Sequence, residues 1–127
     1  MYILYKQDIV YLNNLLNLPA KGDEQNWDIE LADPARLSEF LATFKAYHLT
    51  PSVRKAFLAL IIASYDDLLQ YDPDDDDFYW TYIKGIIEPE KHEYFALLKY
   101  WASEDSIYSK DAAFLVTPRI KAYLNEA

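Results

Sequence analysis

The chain has no cysteine and only two glycines, Gly22 and Gly85, in 127 residues. The first absence removes disulfides, thiolate zinc sites and cysteine nucleophiles together. The second removes any glycine-rich phosphate loop. Histidine is nearly as scarce: His48 and His92 stand far apart, with no HxxxH or HExxH spacing that would bring two metal ligands together. Long apolar runs are also missing. The longest, Ala56 to Ala63, is far short of the roughly 20 residues that a membrane span requires. The opening Met-Tyr-Ile-Leu-Tyr-Lys has no basic stretch ahead of an apolar one, so it does not read as a secretory signal. Positive charge is in deficit, with 12 basic residues against 21 acidic ones and a net charge of -9. Holding a phosphate backbone needs a basic face, so direct nucleic-acid binding is disfavoured.

Apolar content is plentiful. At 52% hydrophobic residues the chain is too apolar for disorder and can bury the core of one domain over residues 1–127. The spacing of those residues predicts an all-α, single-domain bundle of about six helices. Leu37, Phe40, Leu41 and Phe44 recur at i, i+3, i+4 and i+7, one buried stripe behind an Asp33-Pro34 start. Thr50-Pro51 and Thr117-Pro118 repeat the pattern of a hydroxyl cap followed by proline, and Glu88-Pro89 repeats the proline alone. The helix from Pro51 to about Gln70 is apolar on every side through its middle, which marks it as the centre of the fold. Asp66 and Asp67 near its end oppose the helix dipole.

Three more helices are expected downstream. Asp77–Ile87 presents Tyr79, Trp80, Ile83, Ile86 and Ile87, and Pro89–Ala102 presents Tyr94, Leu97, Leu98 and Trp101. A terminal helix from Thr117 is held by Ile120, Tyr123 and Leu124. At the start, Gln7–Asn17 is helical, and Tyr2–Tyr5 is either its first turn or a short N-terminal strand. Leu18–Ala32 reads as a loop pinned by Trp27 and Ile29, and Ser103–Asp111 as an irregular crossing anchored by Ile107 and Tyr108.

Two anomalies bear on function. Asp72, Asp74, Asp75, Asp76 and Asp77 put five carboxylates into six residues, bracketed by Tyr71 and by Phe78, Tyr79 and Trp80. Alternate aspartates suggest a calcium loop, but the sixth position is Asp77 where glycine must turn the chain, and the twelfth is Ile83 where a bidentate Glu is needed. No metal or other cofactor is therefore expected. A solvated turn whose last Asp caps the next helix is the plainer account. The other anomaly is twelve tyrosines, more than a core uses, since each buried hydroxyl needs a partner. Several fall at loops and helix ends, where a flat body with a polar tip suits a partly wet interface. Ser64, inside an apolar helix, reads as a core hydroxyl bonding back to its own helix.

Carboxylate pairs suited to hydrolysis do not stand out. Asp66 and Asp67 are adjacent, so they project about 100° apart and cannot flank one bond together. The chain is read as a non-enzyme whose partner-binding residues are Tyr71, Asp72, Asp74, Asp75, Asp76, Asp77 and Tyr79.

The segments Trp27-Asp28-Ile29-Glu30-Leu31-Ala32-Asp33 and Leu60-Ile61-Ile62-Ala63-Ser64-Tyr65-Asp66-Asp67-Leu68-Leu69, with Tyr100-Trp101-Ala102 and Phe114-Leu115-Val116-Thr117-Pro118, form one whole-chain pattern. That pattern resembles the small bacterial immunity proteins made beside toxins of interbacterial competition. The resemblance implies a cytoplasmic, non-enzymatic protein that binds and blocks one cognate toxin, often a nuclease. A nuclease domain must be basic, so an acidic partner would gain on-rate by electrostatic steering. A helical adaptor or scaffold domain is the alternative, and an enzyme with an unrecognised carboxylate site is the third reading.

Overall fold

The computed structural model describes residues 2–73, 78–103 and 114–126. Among these residues the chain is all-α: six helices of seven residues or more, one single-turn helix and no strand. The helices are α1 (Lys6–Leu15), α2 (Trp27–Glu30), α3 (Leu37–Ala46), α4 (Pro51–Tyr71), α5 (Phe78–Ile87), α6 (Phe95–Trp101) and α7 (Thr117–Asn125). Residues 2–5 pair with no strand, and Tyr5 is the extended N-cap of α1.

Helix α4 is the axis of the fold. Every residue from Ala56 to Tyr65 is buried, and α1, α2, α3 and α5 all pack against it. Its start follows from Thr50, whose hydroxyl accepts the Val53 amide at 3.3 Å while Pro51 fills the first turn. Asp33 works in the same way, accepting the Ala35 amide at 3.0 Å. It opens a 3₁₀ turn, Pro34–Arg36, that runs directly into α3. The α3 stripe of Leu37, Phe40, Leu41 and Phe44 is buried, and Phe40 and Phe44 meet the Phe57 ring of α4 at 6.1 and 5.5 Å. Helix α1 ends in a left-handed Asn17, with φ of 51°. Leu18 donates back to the Asn13 carbonyl and Asn17 to the Asn14 carbonyl, a Schellman closure.

The structure corrects the sequence reading at five places. Residues 88–94 form a 3₁₀ segment rather than the first turns of α6, with Glu90 outside helical geometry (φ -131°, ψ 34°). Glu90 is held there by Arg54 of α4 at 2.6 Å. The stretch read as a loop contains α2, and its buried anchors are Trp27 and Asp28, whereas Ile29 is exposed. Trp27 donates its indole N–H to Asn13 at 2.8 Å. Ser64 does not serve only its own helix, because its hydroxyl accepts the Asp33 amide at 3.0 Å and ties α4 to the start of the α3 segment. Thr117 lies inside α7 behind an N-cap at Val116. Its hydroxyl accepts from the Phe114 amide and donates to the Trp101 carbonyl at 2.7 Å, locking α7 to the end of α6. Finally, Asp66 is not a dipole misfit. Its carboxylate accepts the Val116 amide at 2.9 Å, so an acid at the C-terminal end of α4 serves the positive N-terminus of α7.

Candidate protein-binding face

Helices α3 and α5 pack side by side and leave an apolar groove of about 220 Å³ between them. Its α3 wall is Ser38, Leu41, Ala42 and Lys45, spaced so that they share one helix face. Its α5 wall is Phe78, Tyr79 and Tyr82. Two contacts cross the groove: the Ser38 and Tyr79 hydroxyls are 3.0 Å apart, and the Lys45 ammonium lies 5.0 Å from the centre of the Tyr82 ring. The burial pattern of α5 explains this wall. Trp80, Ile83, Ile86 and Ile87 take the core side, with Trp80 stacked on Tyr65 and edge-on to Tyr123. Phe78 and Tyr82 remain outside, 59% and 45% exposed, with their rings 5.3 Å apart. An exposed phenylalanine beside an exposed tyrosine, in a groove floored by Leu41 and Ala42, is the kind of surface that a protein partner desolvates.

The sequence-predicted site residues distribute around this groove unevenly. Tyr79 is in its wall and half-buried. Tyr71 ends α4 and is 81% exposed, and Asp72 is the exposed C-cap of the same helix. Asp74, Asp75, Asp76 and Asp77 lie outside the described residues, as do Ile107 and Tyr108. The acidic run ends at the residue before Phe78, so the chain leads from it directly into the α5 wall. Sequence reasoning noted Phe78 beside the acidic run and Tyr82 among the tyrosines near helix ends but assigned neither to the site, and it left out Ser38, Ala42 and Lys45. For Phe78 and Tyr82 a signal existed: they are aromatic at i and i+4, off the Trp80–Ile83–Ile87 stripe. The α3 residues look like any solvated helix face.

A second cleft, of about 340 Å³, is polar. Tyr2, Trp27, Asp28 and Tyr100 contribute to its lining, with Glu24 at its rim. Asp28 is 4% exposed, and the Tyr2 hydroxyl donates to its Oδ2. Burial is the main reason that the Asp28 carboxyl is pushed above its ordinary range, against the lowering effect of the Tyr2 hydrogen bond. Burial and the adjacent Asp28 charge push the Tyr2 phenol upward as well. Tyr100 meets Tyr2 edge-on at 5.1 Å, and its phenol is likewise raised by burial.

His48 and His92 are both exposed and belong to different segments of the fold. Among the described residues no group of three or more His, Cys, Asp or Glu side chains could hold a metal ion. Nor, among them, is any helix long and apolar enough to cross a membrane. Comparison with family models, curated proteins and solved structures returns no match for this chain.

Proposed function

We propose that this chain works by binding another protein, as a cytoplasmic immunity protein that covers and neutralises a basic toxin domain. The observation that carries this reading is the α3–α5 groove, where Phe78 and Tyr82 stay in solvent while Trp80, Ile83, Ile86 and Ile87 of α5 pack inward. The chain enters that groove from five aspartates, and the whole molecule carries a net charge of -9. Opposite charge on the partner would speed encounter, and the aromatic groove would set how long the complex lasts.

The test is co-expression with the product of the adjacent gene, followed by co-purification and binding kinetics across a salt series. Asp74→Lys with Asp75→Lys should slow association at least tenfold at low salt and leave the melting temperature unchanged or raised, since like charges are being separated. Phe78→Ala with Tyr82→Ala should mainly speed dissociation. Unchanged kinetics in both double variants would remove this face from the interface. Binding without neutralisation of a toxin would favour the adaptor reading.

The Asp28 cleft supports a second reading, an enzyme with a carboxylate site. A buried carboxyl with a raised pKa, bonded to a tyrosine in a polar cleft, has the character of a proton-transfer group. Full toxin neutralisation by Asp28→Asn would separate this chemistry from the binding function.

A further inference from the structure

A third cleft, of about 380 Å³, opens where the first turns of α1 and α4 meet. Asp8, in the first turn of α1, is part of its lining and is only 5% exposed. Its Oδ2 is buried and has no hydrogen-bond partner. A carboxylate oxygen withdrawn from water without a donor is costly, so its retention asks for a group that completes it. Arg54 of α4 makes no hydrogen bond to it: its two Nη atoms go to the Leu49 carbonyl and to Glu90, and its buried Nε has no partner. The same cleft exposes the Tyr11 ring and offers the Ser52 and Thr50 hydroxyls, over an apolar floor of Leu49 and Val53.

We propose that this cleft is a pocket for an arginine side chain presented by a protein partner. The buried carboxylate supplies the charge. The hydroxyls can accept the remaining guanidinium N–H groups, and the exposed face of Tyr11 gives the planar cation a surface to stack on. A guanidinium suits the lining better than a compact ammonium, because its donors are spread in a plane and several acceptors surround one carboxylate. A divalent metal does not suit it, since among the described residues Asp8 and His48 are the only His, Cys, Asp or Glu side chains in the lining. The pocket shares no lining residue with the α3–α5 groove, and the inference does not rest on the immunity reading.

The test is an amide chemical-shift titration of the full chain with three probes: a blocked Gly-Arg-Gly tripeptide, its Gly-citrulline-Gly counterpart, and agmatine. The arginine peptide should shift the Asp8, Tyr11 and Ser52 amides saturably, at millimolar concentration. The neutral citrulline peptide, of the same shape, should bind at least tenfold more weakly. Asp8→Asn should reproduce that loss with the arginine peptide, and Tyr11→Ala, at an exposed position, should weaken binding at least threefold. Phe78→Ala with Tyr82→Ala should leave the titration unchanged whether or not that groove proves to bind a toxin. Equal binding of the citrulline and arginine peptides, or no saturable shift at these amides, would overturn the proposal. Binding of agmatine but not of the arginine peptide would overturn it too, by assigning the cleft to a free small cation.

Discussion

Gly85 sits in the interior of α5 on its exposed side, a position where glycine costs a helix about 1 kcal/mol relative to alanine. Nothing in the isolated fold requires it there. Its φ is not positive, and a Cβ added at this position meets no atom within 4 Å. Gly85→Ala should therefore stabilise the chain by about 0.5–1 kcal/mol, mostly by reducing the freedom of the unfolded state. For a domain of this size that is a rise of about 2–4 °C in melting temperature. Gly85 also lies three residues after Tyr82 and seven after Phe78, on the helix face that carries the exposed aromatics. If a partner lies along that face, the missing side chain lets its backbone approach closely, and the new methyl would hold it off. The substitution should thus raise the melting temperature and speed dissociation from the cognate partner together. Differential scanning calorimetry and surface-based kinetics measure the two effects. A melting temperature that falls would refute the helical, open environment assigned to Gly85. A rise with unchanged dissociation would refute the partner's close approach along α5.

The core and the buried acids give further expectations. Leu60 is fully buried at the centre of α4, so Leu60→Ala should lose about 2–5 kcal/mol in chemical denaturation through lost burial and a cavity; a loss under about 1 kcal/mol would contradict its place in the core. Asp28, Asp66 and Asp67 all have carboxyls raised above their ordinary value near 3.8, chiefly by burial. The folded chain therefore holds their protons more tightly than the unfolded one. Their contribution is fully present below that ordinary value and is lost as pH rises through the folded pKa. Asp28→Asn, which can still accept the Tyr2 hydroxyl, should be at least as stable as the native chain at pH 8, with that advantage disappearing near pH 3.5. A stability difference that does not vary between those pH values would contradict the burial account of Asp28.

Where the fold was legible in the sequence, the determining interactions were local. Asp33-Pro34 and Thr50-Pro51 cap the chain within three residues, and the α3 and α4 apolar positions lie a turn or two apart, so periodicity and capping were sufficient. The misreadings have long-range causes. Thr117-Pro118 has the same local form as Thr50-Pro51, yet the Thr117 hydroxyl is turned to the Trp101 carbonyl sixteen residues away. Asp66 looks like an unfavourable charge until Val116, fifty residues later, brings its amide to it. The expected helix from Pro89 rested on Tyr94, Leu97, Leu98 and Trp101. Those four are indeed buried, but they are consistent with any start up to Tyr94. What decides the geometry of residues 88–94 includes Arg54 reaching Glu90 from another helix.

The sites were less legible because their chemistry depends on which acids are buried. In a chain with 21 acidic residues, a dense acidic run is the feature that stands out. Composition cannot distinguish the exposed carboxylates from Asp8 and Asp28, which are 5% and 4% exposed. Their burial depends on packing: α1 and α2 both lie against α4, while the extended residues ahead of α1 bring Tyr2 over Asp28. The two acids then diverge because their partners differ. Asp28 has a phenol donor and a raised carboxyl pKa, so the proton on that pair can change with the environment. Asp8 lines an open cleft and has a buried Oδ2 without a donor, the requirement that the proposed arginine would meet. An isolated acid in the first turn of α1 would ordinarily be assigned to the helix dipole, a use that needs no burial. It is the withdrawal of Asp8 from water, while its Oδ2 remains unbonded, that makes a second molecule the more economical explanation.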